Sequence, residues 1–549
     1  MNLLKPDRIT KIFFFGLTIV SGIVILYPQI QFNLLLAQGD HGHNLYSFYQ
    51  ASLGKLPFKD FWYPYGPLMP FYYGIFLNIF GVSIKSVLLG KILCIGMAGL
   101  FVYLGLSLFI SPLLAYLAGL WYWTFCPDFF YNFNHTGAYT LNMALLYFLF
   151  LYIKTGLRRF MYYGLACTLF IFLVKINFGL FALLASMASF FLIDYQNKNL
   201  KKFPFYVLPL LVIPLTVAVI YWPLIAGLPS YAVSQCLSYF NAYFYDISVF
   251  YSVQRLFIYF FELVTNSWSN LIFALLVFIS TTLVIFSLIT NRFDKNTKNT
   301  LLLILAILSL FAVFNLHEFF GDSREFMFSY KLNLMIPFQI IICFILLHYG
   351  LQPLNDNLKL SVCFAIFVLL FHGIDMNHRL IFHTRLTGRY LSLPRGQVYA
   401  TNERDWFSTV ERTVSYLESH LKKDELFFAL PYEPLYYFLM GRPSPTWQVM
   451  TIEATGIPPA QESEIIRDLE NKNVNYVVLS NRSYSREDGV GIFGQTYLPG
   501  LHDYIFKNFQ EVASFGNWDA LAGWNVGHAV KILKRRTDRP ENSAQSEMR

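Results

Sequence analysis

The chain has 549 residues, 56% of them hydrophobic and only 13% charged, with a mean hydropathy of +0.46 and a formal net charge of +8. That composition excludes an ordinary soluble globular protein. Its basic residues are scattered through short loops, which excludes nucleic acid as a partner. No cysteine follows Cys363, so the C-terminal part has neither a disulfide framework nor a cysteine-based metal site.

Apolar runs recur from Ile12 to about Met376. About 20 such residues, as a helix, cross a hydrocarbon core roughly 30 Å thick. Spans are predicted near 12–30, 84–107, 112–126, 138–153, 160–174, 176–193, 204–222, 268–290, 300–314, 332–349 and 358–376. The fold class is therefore an α-helical polytopic membrane protein of about eleven transmembrane helices. Lys5, Arg8 and Lys11 precede the first run, as in a signal peptide. The run is long for one and no small-x-small cleavage pattern follows, so a retained helix is expected.

Between the first two spans stands "QGDHGHNLYSFYQASLGKLPFKDFWYPYGPLMPFYYGIFLNIF", residues 38–80. Its last part, Gly66 to Phe80, is apolar but reaches only about 22 Å at roughly 1.5 Å per residue. Pro64, Pro67 and Pro70 also break its start. If this part does not cross, three cationic loops share the side of the N-terminus. They carry Lys154, Arg158 and Arg159; Lys198, Lys201 and Lys202; and Arg292, Lys295 and Lys298. The positive-inside rule then makes that side cytoplasmic. An interfacial or re-entrant helix is expected at 66–80 on the outer face. Residues 31–83, 127–137, 223–267 and 315–331, and everything after 376, are then external.

Residues 1–376 form the predicted membrane domain, and 377–399 a basic, aromatic surface linker. From 400 to 533 the pattern is that of an external soluble α/β domain. "ERDWFSTVERTVSYLESHL", "EIIRDLENK" and "PGLHDYIFKNF" have helical spacing, and "ELFFAL" and "VNYVVLS" read as strands. Residues 534–549 read as a disordered tail. The α/β domain has no Gly-rich phosphate loop and no metal-ligand spacing, so no catalytic role is assigned to it.

Asp40 is the first candidate for chemistry. An acid just after a span is ordinarily a solvated loop residue. Here a long aromatic loop and an interfacial helix follow and together can roof a cavity, where a carboxylate can act as general base toward a hydroxyl. His41 and His43 flank it and are candidate ligands for a divalent cation such as Mg or Mn. Asp128 and His135 offer a second acid and histidine from the next external loop, or are simply loop residues. Lys175 sits between two apolar runs with almost no loop, where a cation either snorkels or meets an anion such as a lipid phosphate. Arg324, Tyr330 and Lys331 precede a late span and can hold a phosphate leaving group, or serve as an interfacial anchor.

The first span followed by "GDHGHNLYSFYQASLGKLPFKDFWYPYGPLMPFYYGIFLNIFG" resembles the first external loop of GT-C-type membrane glycosyltransferases, among them the protein O-mannosyltransferases and the lipid A aminoarabinose transferases. In that family an acid follows the first helix, then a turn, then a proline-led aromatic helix. Asp40, Gly54–Asp60 and Pro67–Gly81 occupy those places here. The resemblance implies inverting transfer of a sugar from a polyprenyl-phosphate donor to a lipid, glycan or protein acceptor on the outer face of the cell (inner) membrane. Asp40 would be the base, and cations (Lys175, Arg324 and Lys331, with Tyr330) would steady the departing phosphate, among membrane lipids as further partners. The chain departs from the family in having His41 where many relatives carry a second acid.

Three other readings compete. A transporter or lipid flippase would favour paired ionisable groups at mid-membrane and internal repeats, whereas Lys91 alone sits inside a span. A non-catalytic envelope-assembly protein leaves the first loop unexplained. An O-antigen ligase or polymerase would place arginines and histidines in a late external loop instead.

Overall fold

The computed structural model describes residues 8–32, 39–125, 133–200, 203–237, 268–315, 336–400, 406–485, 489–520, 522 and 527–536. In chain order its first helices are α1 (Arg8–Leu26), α2 (Asp40–Ser52), α3 (Leu68–Phe80), α4 (Ile84–Leu106), α5 (Pro112–Phe125), α6 (His135–Thr155) and α7 (Arg158–Val174). Then come α8 (Ile176–Gln196), α9 (Phe203–Ile225), α10 (Ser230–Leu237), α11 (Trp268–Ile289), α12 (Lys295–Asn315), α13 (Ile336–Leu351) and α14 (Asp356–Thr387). A helix stands at every predicted span. Among the described residues, eight are long and apolar enough to cross a membrane. The shorter α5, α7 and α13 have 14, 17 and 16 residues. Outward-facing Ile12, Leu211, Leu215, Phe278 and Phe364 leave the bundle with a bare apolar surface that lipid, not water, would cover. This is a multi-pass membrane protein.

Small residues bring its helices together. Trp123 of α5 lies where a Cβ on Gly22 of α1 or Gly99 of α4 would stand 2.7 or 2.3 Å from its ring, and its indole N–H donates to the Ile95 carbonyl at 3.0 Å. Backbones approach this closely only where a side chain is missing.

The bundle has two unlike ends. At one, the Tyr103 hydroxyl near the end of α4 donates to the Lys11 carbonyl of α1. At that end Lys154 also closes α6, with its ammonium over the Phe109 ring. The other end gathers the end of α1, the starts of α4 and α6, and the α7–α8 junction. Since α1 ends where α4 begins, α3 does not cross. It has 13 residues, the expected place, and two faces: Met69, Tyr73 and Leu77 are buried while Phe71, Ile75 and Ile79 face outward. Residues 40–52, expected as loop, are instead helix α2, packed on α3.

The helix α14 runs to Thr387, well beyond the predicted end of the last span, so the first part of the expected surface linker is helical. A hairpin of β1 (Arg389–Leu391) and β2 (Val398–Ala400) follows. The C-terminal unit then contains α15 (Trp406–His420), β3 (Phe427–Leu430), α16 (Leu435–Met440), α17 (Pro459–Asn471), β4 (Tyr476–Ser480), α18 (Pro499–Asn508), β5 (Phe509–Phe515) and β6 (Val530–Arg535). This is the expected α/β pattern. Its sheet has the order β3-β4-β6-β5, with β3 and β4 parallel and the other pairs antiparallel. Alternation along the strands divides the burial. Phe428, Leu430, Val477 and Leu479 pack with Ile465, Leu469, Leu501 and Ile505. Phe427, Ala429, Tyr476 and Val478 join a core continuous with the membrane helices.

The unit is seated on the segment between α1 and α4. The Trp447 indole donates to the Phe58 carbonyl at 2.7 Å, and the Trp62 N–H to the Trp447 carbonyl at 3.0 Å. Tyr49 donates to the Gly441 carbonyl, and Ile84 N–H to the Arg395 carbonyl. On a second side Tyr231 of α10 donates to Glu464, and Gln235 to Gln461 at 2.7 Å.

Candidate active site

Asp40 is the first residue of α2, half-buried, with its charge at the positive end of the helix dipole. Its carboxylate accepts a hydrogen bond from the Tyr432 hydroxyl, which belongs to the turn between β3 and α16. The Arg482 guanidinium lies 5.0 Å from the centre of the Tyr432 ring. Two glycines allow the approach. A Cβ on Gly39 would stand 2.4 Å from Tyr432 and 2.9 Å from Arg482, and one on Gly42 would stand 2.6 Å from the Leu435 nitrogen. Three residues apart on a helix, they present one bare face to the C-terminal unit.

Behind Tyr432 lies a buried polar group of Glu433, His528 and Tyr436. His528 Nε2 is 3.9 Å from a Glu433 carboxyl oxygen and 3.0 Å from the Tyr436 hydroxyl. Burial lifts the Glu433 carboxyl to about 7 and depresses the His528 imidazole to about 3.

The bundle meets α2 from the other side. His41 stands edge-on to Phe133 at 5.0 Å. Asn134 donates to the Asn44 side chain and accepts from Tyr63, tying the start of α6 to α2 and to the segment before α3. Lys91, two turns below the Ser83 cap of α4, is 2% exposed, and its ammonium lies 4.9 Å from the centre of the Phe133 ring. A single aromatic ring thus has His41 and a buried cation against it.

A second cation stands at the same end of the bundle. Lys175 joins α7 to α8, with its ammonium 4.5 Å from the Phe178 ring. The His135 ring is 5.1 Å from Phe178 and 5.9 Å from Tyr65. Gly66 holds this corner: its N–H donates to the Val174 carbonyl at 2.9 Å, and a Cβ there would stand 2.1 Å from the Leu173 carbonyl oxygen. The proline-broken "YPYGP" is the strap that lays Tyr65 beside the α7–α8 junction.

His41 and His43 do not gather on one ion. Residues two apart on a helix point to opposite sides. His41 meets Phe133, whereas His43 is enclosed by Trp62 and Tyr63 at 5.1 and 5.4 Å. Burial depresses its imidazole to about 4, leaving it neutral. Among the described residues no three His, Cys, Asp or Glu side chains are placed to share a metal.

Scans against protein-family models and against curated proteins find no match. Among solved structures, the chain is similar to ArnT from Cupriavidus metallidurans bound to undecaprenyl phosphate. The identity is 14% over 95% of this chain and 97% of that one, with a TM-score of 0.54. It is also similar to the arabinofuranosyltransferase AftD from Mycobacteria, with a TM-score of 0.51 and 12% identity over 98% of this chain and 41% of that one. The chain has the GT-C fold.

The GT-C arrangement extends beyond the first loop, where the sequence resemblance is concentrated, to nearly the whole chain. Within it, Asp40, His41, His43, His135 and Lys175 all lie at the end of the bundle that carries the C-terminal unit. Asp128, Arg324, Tyr330 and Lys331 lie outside the described residues. Three residues were not among the candidates. Lys91 carried a signal, a lone lysine within an apolar span. Tyr432 and Arg482 carried only a faint one, the paired glycines around Asp40, because their contact joins segments hundreds of positions apart.

Proposed function

We propose that this protein is a glycosyltransferase that moves a sugar from a polyprenyl-phosphate donor to a hydroxyl acceptor at the end of the bundle bearing the C-terminal unit. The observation that carries the reading is Asp40: a carboxylate at a helix start, in the seam between bundle and C-terminal unit, with Lys91 and Lys175 at the same end of the bundle. The undecaprenyl phosphate held by the ArnT structure supports the donor class.

In the proposed reaction Asp40 takes the proton of the acceptor hydroxyl as its oxygen attacks the anomeric carbon. The carbon–oxygen bond to phosphate breaks, the polyprenyl phosphate leaves with the electron pair, and the sugar inverts in this single displacement. Lys91 and Lys175 favour the charge that grows on the departing phosphate, an effect strengthened where water is excluded. Arg324, Tyr330 and Lys331 are further candidates for that task. A divalent cation, if used, would be held by Asp40 with groups other than the His41–His43 pair. The positive-inside rule makes the cationic end of the bundle cytoplasmic, so the reaction faces outward across the inner membrane.

The test is transfer from a panel of radiolabelled polyprenyl-phosphate sugars in proteoliposomes of the purified protein. Label moving from one donor to lipid, glycan or protein is expected. Absence of both transfer and donor hydrolysis across the panel, with folded protein, would contradict the reading and favour transport or partner binding.

A further inference from the structure

We infer that the C-terminal unit is part of the catalytic centre, with Tyr432 as the positioning residue that aims the Asp40 carboxylate. This rests on the reading of Asp40 as the base. The α/β pattern of the unit suggests an appendage, yet three independent contacts set its β3–α16 segment against the start of α2.

The Tyr432 hydroxyl donates to the Asp40 carboxylate. The Tyr432 ring cannot swing away freely, since it is 6% exposed and lies between Gly39 and the Arg482 guanidinium. Gly42 meets the Leu435 backbone directly, so the helix start and the segment carrying Tyr432 are seated as one piece. The docking bonds from Trp447, Tyr49 and Trp62 hold the same seam. A carboxylate on a helix start can turn about its side-chain bonds. A hydroxyl bonded to one oxygen restricts that turning and leaves the acceptor proton to be taken in one geometry. The hydrogen bond also favours the charged form of the carboxylate, keeping it available as a base at lower pH.

Among the described residues, the charged and titratable groups set around Asp40 include Tyr432 and Arg482 and, behind them, Glu433 and His528 from the C-terminal unit. On the other side are His41, whose ring shares Phe133 with the Lys91 ammonium, and His43, which senses the Asp40 charge.

The experiment uses the full-length protein in proteoliposomes with the donor it accepts. Tyr432→Phe keeps the ring and removes the hydroxyl. Its kcat is expected to fall roughly 10- to 100-fold with the donor KM within about twofold. The acidic limb of the pH–rate profile should move up by about one unit, because the carboxylate has lost a bond to its charged form. Gly39→Ala tests the same contact from the other side. Gly39 has φ −74° and ψ −76°, which alanine tolerates, so the added methyl acts only by displacing Tyr432 and Arg482. It should lower kcat in the same way, and it serves if Tyr432→Phe does not fold. Wild-type kcat and pH profile in both variants, with Asp40→Asn inactive, would overturn the positioning role while leaving the base reading intact. A fall in kcat without the pH shift would also overturn it, reducing Tyr432 to packing. Full activity in Asp40→Asn would instead remove the base reading itself.

Discussion

Asp40 combines two properties that rarely meet in one loop residue: a helix start that favours its charge, and a partner from the far end of the chain. The first was legible only as an acid placed after the first span and before a long aromatic segment, since the helix that it starts was expected as loop. The second was not, because Tyr432 and Arg482 lie in a stretch whose own pattern is an ordinary strand and turn. Behind them, Glu433 and His528 leave opposite marks on stability. The His528 imidazole is depressed to about 3 by burial, so an unfolded chain takes up its proton first as pH falls below about 6.5. Its contribution to stability is full above that pH and is lost toward pH 3. Glu433, lifted to about 7, contributes fully below about 4.3 and loses that contribution as pH rises through 7. The two slopes oppose each other between about pH 4.5 and 6.5. Thermal melts of the purified protein across that range should therefore steepen in opposite senses. Melting temperature should rise toward acid in His528→Gln and fall toward acid in Glu433→Gln. Two variants running parallel to the wild type would contradict this.

Among the elements, α3 and the α/β pattern were read from the sequence with little error, because length, proline placement and apolar period are local properties. Helix α2 was missed. Its residues 40–52 mix His, Asn, Ser and Gln with aromatics, and burial against three neighbours rather than an apolar stripe makes it helical. Buried Asn44, Ser47 and Gln50 would argue against a helix in water, yet here they face other protein. The same crowding sets the role of its glycines. Gly42→Ala places a methyl against the Leu435 backbone, which cannot yield as a side-chain tip does, and should destabilise by about 1–3 kcal/mol. Gly16→Ala in α1 meets nothing within 4 Å and should be neutral or stabilising by up to about 1 kcal/mol. Melting temperatures of the two variants, measured side by side, should shift in opposite directions or leave only Gly42→Ala lowered. Equal shifts would mean that the α2–α16 seam is looser than its geometry.

At the scale of the whole molecule, an apolar bundle with one cationic end carries at its other end both the folded first loop and the C-terminal unit. The charge parity of the loops predicted this polarity, and the meeting of α1, α3 and α4 at one end agrees with it. On the proposed reading, a long lipid tail would lie along the apolar helices while its phosphate meets Lys91 or Lys175 at the end of the bundle that carries Asp40. On the proposed reading, what unites these parts is the demand that one carboxylate take the acceptor's proton. The most direct measurement is therefore transfer by Asp40→Asn in proteoliposomes, beside donor binding by the same preparation. Asparagine keeps the size and can still accept a bond from Tyr432, but it cannot act as the base. Donor binding close to wild type with transfer lowered by at least about 10²-fold is the predicted result. Transfer at the wild-type rate would contradict the account at its centre.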